Sequence, residues 1–268
     1  SPAVPPSVPP VAPGQPAKDA AERAEVERVS RWEHLYPAAL AAKLRDVFGS
    51  WHGRLAFATE AVSDTADRSN LSFEAGLKRK WKRDEVQLNG RYDYSETNQL
   101  TTTDLVKGDG LWRHDFGKNS FAQYRPTLEW NRASFRSGLP SDYVLLQQEI
   151  GVGVNLLGKP TRKLRLGMSE NLFDTWTTPP PASHNSRTSE SLFVETELKL
   201  PWGLLLTDRG VYYYSFTSQG SGWENRIELT KKFTETLSTA IRHELRQGSP
   251  DGTAQDYTRL RLLLGLDF

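Results

Sequence analysis

From Trp51 to Phe268 the chain alternates apolar and polar residues with a period of two, and before Trp51 it does not. Successive side chains of a strand point to opposite faces, so this rhythm predicts strands with one apolar and one polar face. Twelve such segments can be read. In the first, Trp51, Gly53, Leu55, Phe57 and Thr59 oppose His52, Arg54, Ala56, Ala58 and Glu60. In the second, Leu71, Phe73, Ala75, Leu77 and Trp81 share a face that Arg79 interrupts. Val86, Leu88, Gly90, Tyr92 and Tyr94 mark the third, against Gln87, Asn89, Arg91, Asp93 and Ser95. Later segments run through Leu192–Leu200, Trp223–Phe233, Leu237–Arg246 and Arg259–Phe268. Two stretches, Leu105–Phe116 and Leu204–Phe216, leave a charge on the apolar face in either register.

Alternation alone also fits a soluble antiparallel sheet with one wet face. Connection lengths favour another answer. Short links ("KRDE", "GKN", "LGKPTR", "PWG", "TET") alternate with longer polar ones. The longer set is "EAVSDTADRSN", "SETNQLTTTD", "RASFRSGLPSD", "TTPPPASHNSRTSE", "FTSQGSG" and "QGSPDGTAQD". Tight turns at one end, long loops at the other and an even strand count describe an outer-membrane barrel. The aromatics agree. Trp51, Trp81, Trp112, Trp176, Trp202 and Trp223 fall near predicted strand ends, where rings collect at the two membrane–water boundaries. The expected fold is an all-β membrane protein: a transmembrane antiparallel barrel of about twelve strands over residues 51–268.

Ahead of the barrel, residues 1–16 hold seven of the 16 prolines and read as a flexible, extended leader. Residues 17–50 read as helical, a periplasmic or plug segment. Pro37 sits where a first turn tolerates it, Leu40, Leu44 and Val47 share a face, and Gly49 can end the helix. No apolar run long enough for a membrane-spanning helix occurs. Cysteine is absent, which suits export into an oxidising compartment. Charge nearly cancels, 34 Lys+Arg against 33 Asp+Glu, which argues against a nucleic-acid partner.

The final stretch "DYTRLRLLLGLDF" keeps its alternation to the last residue, Phe268. A barrel's last strand pairs with its first, so a strand can stop there. Gly265, Leu266 and Phe268 resemble the C-terminal signal that barrel-assembly machinery recognises. The localisation expected is the outer membrane of a Gram-negative bacterium with both termini periplasmic. Expected partners are outer-membrane lipid, the assembly machinery during biogenesis, and a periplasmic protein docked through residues 1–50.

The body resembles the YdiY-like family of salt-induced outer-membrane β-barrel proteins, a domain of unknown function. The resemblance rests on "WHGRLAFATEAVSDTADRSNLSFEAGLKRKWKRDEVQLNGRYDYSE", on "QQEIGVGVNLL" and on the terminal Phe268. It covers about residues 51–268. It implies a small outer-membrane barrel and assigns no catalytic residue.

The polar faces carry the remaining chemistry. Arg242, Arg246, Arg259 and Arg261 face Glu224, Glu228 and Glu244, and with Arg226, Glu195, Glu197, Lys199, Arg91 and Asp93 they predict a lumen rich in both signs. Such a lumen is either a wet, narrow porin-like channel or a barrel filled by ion pairs. A structural or scaffolding barrel is thus one expected role and a channel the other. The alternative is a lipid-modifying hydrolase in which His184 activates Ser186, with Glu190 nearby, in the loop after "TTPPPAS". His34, His52, His114 and His243 are scattered, so no metal site is expected. "GVGVNLLGKP" lacks the ending and context of a phosphate loop, and no cofactor is expected.

Overall fold

The residues with apolar side chains on one face of each strand lie on the outside of a closed sheet in the computed structural model. It describes residues 37–60, 68–97, 100–117, 119–132, 142–177, 183–216, 220–248 and 256–268. The strands are β1 (His52–Glu60), β2 (Arg68–Lys80), β3 (Asp84–Thr97), β4 (Leu100–Asp115), β5 (Ser120–Asn131) and β6 (Tyr143–Lys159). They continue as β7 (Arg162–Thr177), β8 (Ser183–Leu200), β9 (Leu204–Tyr214), β10 (Gly222–Lys232), β11 (Leu237–Gly248) and β12 (Tyr257–Asp267). Each pairs antiparallel with its neighbours in chain order, and β1 pairs with β12 from Arg54↔Asp267 to Glu60↔Arg261. The ring therefore has no open edge, which is what lets a sheet stand in hydrocarbon.

The burial pattern is inverted relative to a water-soluble sheet. Phe57, Leu71, Leu88, Leu128, Ile150, Val152, Met168, Ile241, Leu262 and Leu264 are exposed on the outer face. Asp93, Gln123, Glu149, Asn171, Arg242 and Arg261 are buried within. Lipid is the only environment in which that arrangement lowers the free energy. The expected twelve-stranded transmembrane barrel is the fold observed.

Connections at the proximal end, where Trp51 and Phe268 lie, are short, as the turn Pro160–Thr161 between β6 and β7 illustrates. Between β8 and β9 a 3₁₀ turn, Pro201–Gly203, reverses the chain through left-handed Trp202 (φ 61°) and Gly203 (φ 70°). Distal connections are generally longer, with two corrections to the sequence reading. "SETNQLTTTD" is not a loop, because β3 runs to Thr97 and β4 starts at Leu100. The ladder continues through Ser95↔Thr103, Glu96↔Thr101 and Thr97↔Leu100, with a bulge between Ser95 and Glu96. Likewise β8 begins at Ser183, so most of "TTPPPASHNSRTSE" is strand.

The two ambiguous registers resolve toward the lumen. In β4, Lys107, Asp109 and Arg113 line the cavity, while Val106 and Trp112 are exposed on the outside. In β9, Arg209 takes the lumen and Asp208 shares the outer parity of Leu206 and Tyr212, where it accepts a hydrogen bond from Asn225 of β10 at 2.8 Å. A cross-strand amide thus partners the carboxylate that this register turns outward.

Helix α1 (Pro37–Phe48) precedes β1 and ends at left-handed Gly49, whose N–H donates to Arg45 O at 2.8 Å. Its Ala41 is fully buried, and the Phe48 ring lies 5.5 Å from that of Phe268. The Pro-rich leader and the helical reading of residues 17–36 fall outside the described residues.

Candidate functional site

Inward positions of β1–β3 and β10–β12 assemble one ion-pair network. Arg261, only 1% exposed, donates to both oxygens of Asp93 at 3.1 and 3.0 Å, and Ser72 Oγ donates to Asp93 at 2.5 Å. Arg242 reaches Glu74 at 2.6 Å and Glu228 at 2.7 Å, and Arg54 meets the same Glu228 at 3.0 Å. Arg91 bridges Asp93 at 2.9 Å and Glu244 at 3.3 Å. Arg226 and Arg259 approach Glu244 and Asp93 at 3.8 Å each. Most of these pairs join non-adjacent strands, so they brace the wall from inside. Breaking one partner strands the other charge, which makes the network stiff as well as polar.

Strands β4–β9 build a different arrangement around a single carboxylate. Glu195 of β8 receives Arg113 at 2.5 Å, Arg125 at 3.2 Å, Arg209 at 3.4 Å and Arg165 at 3.5 Å. Arg113 (β4) and Arg125 (β5) reach Glu195 from strands four and three positions away around the ring. Glu149 of β6 takes Arg209 through both oxygens at 2.9 and 2.8 Å and the Gln123 amide at 2.7 Å. Two guanidiniums lie over rings: Arg113 is 4.7 Å from the centroid of Phe121, and Arg209 is 5.8 Å from that of Phe193. Those rings belong to an apolar cluster of Phe121, Tyr143, Leu145, Phe173, Phe193, Val211 and Tyr213. Glycine makes the space: a Cβ on Gly167 would sit 2.3 Å from Phe193 Cζ.

Between the two networks, Lys107 pairs with Glu129 at 3.2 Å and Tyr143 Oη donates to Glu129 at 2.6 Å. Arg246 meets Glu224 at 3.3 Å, and Lys163 meets Glu197 at 2.7 Å. A cavity of about 470 Å³ runs among these groups, bounded by Arg54, Arg91, Arg125, Glu195, Glu228 and Tyr257 among others. The lumen is therefore braced and still partly open. Of the lumen charges named from the sequence, Arg91, Asp93, Glu195, Glu197, Glu224, Arg226, Glu228, Arg242, Glu244, Arg246, Arg259 and Arg261 each make one of these contacts, whereas Lys199 is exposed near the end of β8 and joins none of them. The reading missed Arg113, Arg125, Arg165, Arg209 and Glu149. The inward parity of Glu149 and Arg165 was available from Ile150 and Leu166 one residue along, and that of Arg125 from Leu128 three residues along.

The tryptophans fall at the two ends. Trp81, Trp112 and Trp202 are exposed at the proximal end, Trp176 and Trp223 at the distal end, and Trp130, which the sequence reading did not single out, joins the distal set. Trp51 packs edge-on against Trp81 at 6.3 Å, with Arg79 over Trp81 at 4.8 Å. Stacking at an aqueous rim explains the arginine that interrupts the apolar face of β2.

His184 and Ser186 correct an expectation. They lie in β8, not in a loop. The imidazole stacks on Trp176 at 5.0 Å and 7°, and its Nε2 lies 3.2 Å from Asp174 Oδ1. Cross-strand neighbours thus hold the ring that was to activate Ser186. Among the described residues no group of metal-ligating side chains forms.

A family model described as "Protein of unknown function, DUF481" matches residues 57–268. No curated protein matches the chain. Among solved structures, it is similar to the translocator domain of the autotransporter NalP from Neisseria meningitidis, at 11% identity. That match covers 93% of this chain and 97% of that one, with a TM-score of 0.46. The KdgM porin is similar at 7% identity, covering 81% of this chain and 99% of that one, with a TM-score of 0.45. An outer membrane channel from Pseudomonas putida F1 is similar at 11% identity, covering 82% and 96%, with a TM-score of 0.47. At these identities the likeness is one of fold.

Proposed function

The chain belongs to the DUF481 family, and on that premise we propose that its barrel is a narrow passive channel for small hydrophilic solutes in the outer membrane of a Gram-negative bacterium. The observation that carries this reading is the open volume of about 470 Å³ among ionised side chains in a lumen otherwise braced by ion pairs. A purely structural barrel gains nothing from a wet cavity, because charges facing water there contribute less than packed apolar side chains would. The proximal end faces the periplasm in this reading, because its turns are the short ones.

Single-channel recording in a planar bilayer tests it, using the full chain and protein shown to be folded by heat-dependent gel migration. Small, ohmic conductance steps are expected. Silence from folded, inserted protein would leave a filled structural barrel as the reading.

A further inference from the structure

The β4–β9 network is not neutral. Arg113, Arg125, Arg165 and Arg209 bring four positive charges to a place where Glu149 and Glu195 supply two negative ones. Asp109 is the next carboxylate toward Arg125, and it is occupied by the Asn89 amide at 2.7 Å. Glu85, opposite Arg113 on β3, is taken by Lys78 at 2.9 Å, so counting that pair and Asp109 still leaves a positive excess. The opposite network also holds more arginines than carboxylates, but there four carboxylates, Glu74, Asp93, Glu228 and Glu244, are interleaved among six arginines, whereas the collar has two among four.

Hydrogen bonding tells the same story by a separate route. A guanidinium has five donors and a carboxylate about four acceptor sites, so four arginines overfill two carboxylates. The Nε atoms of Arg113 and Arg125 are buried and make no hydrogen bond among the described residues, as is true of Arg54, Arg91 and Arg261 in the opposite network, while Arg209 Nε faces Glu195 at 3.4 Å. Arg113 itself is only 3% exposed. Desolvated donors without acceptors are costly and call for an acceptor of opposite charge. All four arginines line the cavity.

The collar is also preorganised. Phe121 and Phe193 lie beside the guanidiniums of Arg113 and Arg209, Asn155 Oδ1 accepts from Arg165 Nε at 3.2 Å, and Glu195 ties the four together. Guanidiniums held rigidly lose little entropy when a planar or tetrahedral oxyanion arrives, and they recognise it through paired N–H groups.

We propose that this four-arginine collar is an oxyanion-binding site, selecting small hydrophilic solutes that carry a carboxylate or a phosphate group. The proposal takes the channel reading as its setting, but binding at the collar does not require conduction, and the two fail separately.

The test is isothermal titration of inorganic phosphate, and in a second arm acetate, into the folded full chain in detergent at low chloride. Wild type is expected to bind one phosphate saturably, and Arg125→Gln to bind at least tenfold more weakly, a loss that follows from one charge-assisted hydrogen bond. Arg226→Gln, in the opposite network, is the control and is expected to bind like wild type. Should Arg125→Gln not fold, Arg165→Gln replaces it with the same expectation. Acetate binding with the same dependence on Arg125 assigns the site to oxyanions generally, and its absence assigns it to phosphate. No saturable binding of either anion, or equal binding by wild type and Arg125→Gln, overturns the proposal. Absence of conductance in a protein that still binds phosphate would remove the channel and leave the site.

Discussion

The Phe268 ring occupies the space where Gly53 lacks a side chain. A Cβ on Gly53 would lie 2.0 Å from Phe268 Cζ and 2.2 Å from Cε2. The two residues also exchange backbone hydrogen bonds, Gly53 N to Phe268 O at 2.8 Å and Phe268 N to Gly53 O at 2.9 Å. This pair extends the β1–β12 ladder by one rung beyond Arg54↔Asp267, and Phe48 of α1 covers the ring. The closing seam of the barrel is thus locked by a side chain from one strand lying over a vacancy on the other.

Gly53→Ala should therefore weaken closure. Overpacking costs about 1–3 kcal/mol where neighbours cannot move, and here the neighbour is a ring held by two backbone bonds and a second ring. The folded band on an unboiled gel should melt at lower temperature than wild type. Gly90→Ala is the control, because a Cβ there meets nothing within 4 Å. Equal melting of the two variants would mean that the seam does not depend on this fit.

A second consequence concerns Arg261 and Asp93, which are both buried and bidentate to one another. Arg261→Met leaves Asp93 with Arg91, Arg259 and Ser72 but without its closest fork-to-fork partner. Removing one member of a buried pair costs about 3–5 kcal/mol, and replacing both by apolar residues costs much less. Urea unfolding from lipid vesicles should show a large loss for Arg261→Met and a partial recovery for Arg261→Met with Asp93→Leu. A double variant no more stable than the single one would show that Asp93 is satisfied by its other partners.

Much of this was legible beforehand, for identifiable reasons. The strands with regular alternation, such as Leu260, Leu262 and Leu264 against Arg259, Arg261 and Leu263, declare their faces because lipid tolerates no exception near mid-belt. The four-arginine collar was not legible. Arg113 and Arg209 lie on the strands whose two registers both stranded a charge, and in β9 the outward Asp208 finds its partner, Asn225, on a neighbouring strand that the local pattern does not reveal. Around Gly151, Gly153 and Gly167 the inward positions carry no side chain, so the pattern fades where the rings of Phe121 and Phe193 need room. The loop assigned to His184 and Ser186 failed for another reason. Polar residues on the outer face of β8 at its distal end look like loop composition, although they are strand.

That last point yields a prediction about chemistry. His184 is stacked on Trp176 and lies within hydrogen-bonding distance of Asp174, both on the opposing strand β7. The ring makes no hydrogen bond to Ser186, so the hydroxyl has no base within reach in this arrangement. Purified protein in phospholipid vesicles should release fatty acid at the same background rate in wild type and in Ser186→Ala. A wild-type rate above background that Ser186→Ala abolishes would restore the hydrolase reading.

Glu195 and Arg125 make a sharper pair of predictions because they move one quantity in opposite directions. Glu195→Gln keeps the side-chain volume but removes the charge to which four guanidiniums are drawn. The collar becomes more positive, so under a salt gradient the reversal potential should shift toward the value for anions. Arg125→Gln removes one positive charge from the same cavity wall and should shift it the other way. Both changes are of one unit at one level of the lumen, so simple loss of bracing cannot explain opposite signs. Bracing lost in either variant would widen the path and raise conductance in both, without that antisymmetry. Shifts of the same sign, or none, in two folded and conducting variants would mean that the collar is a strut and does not sort ions.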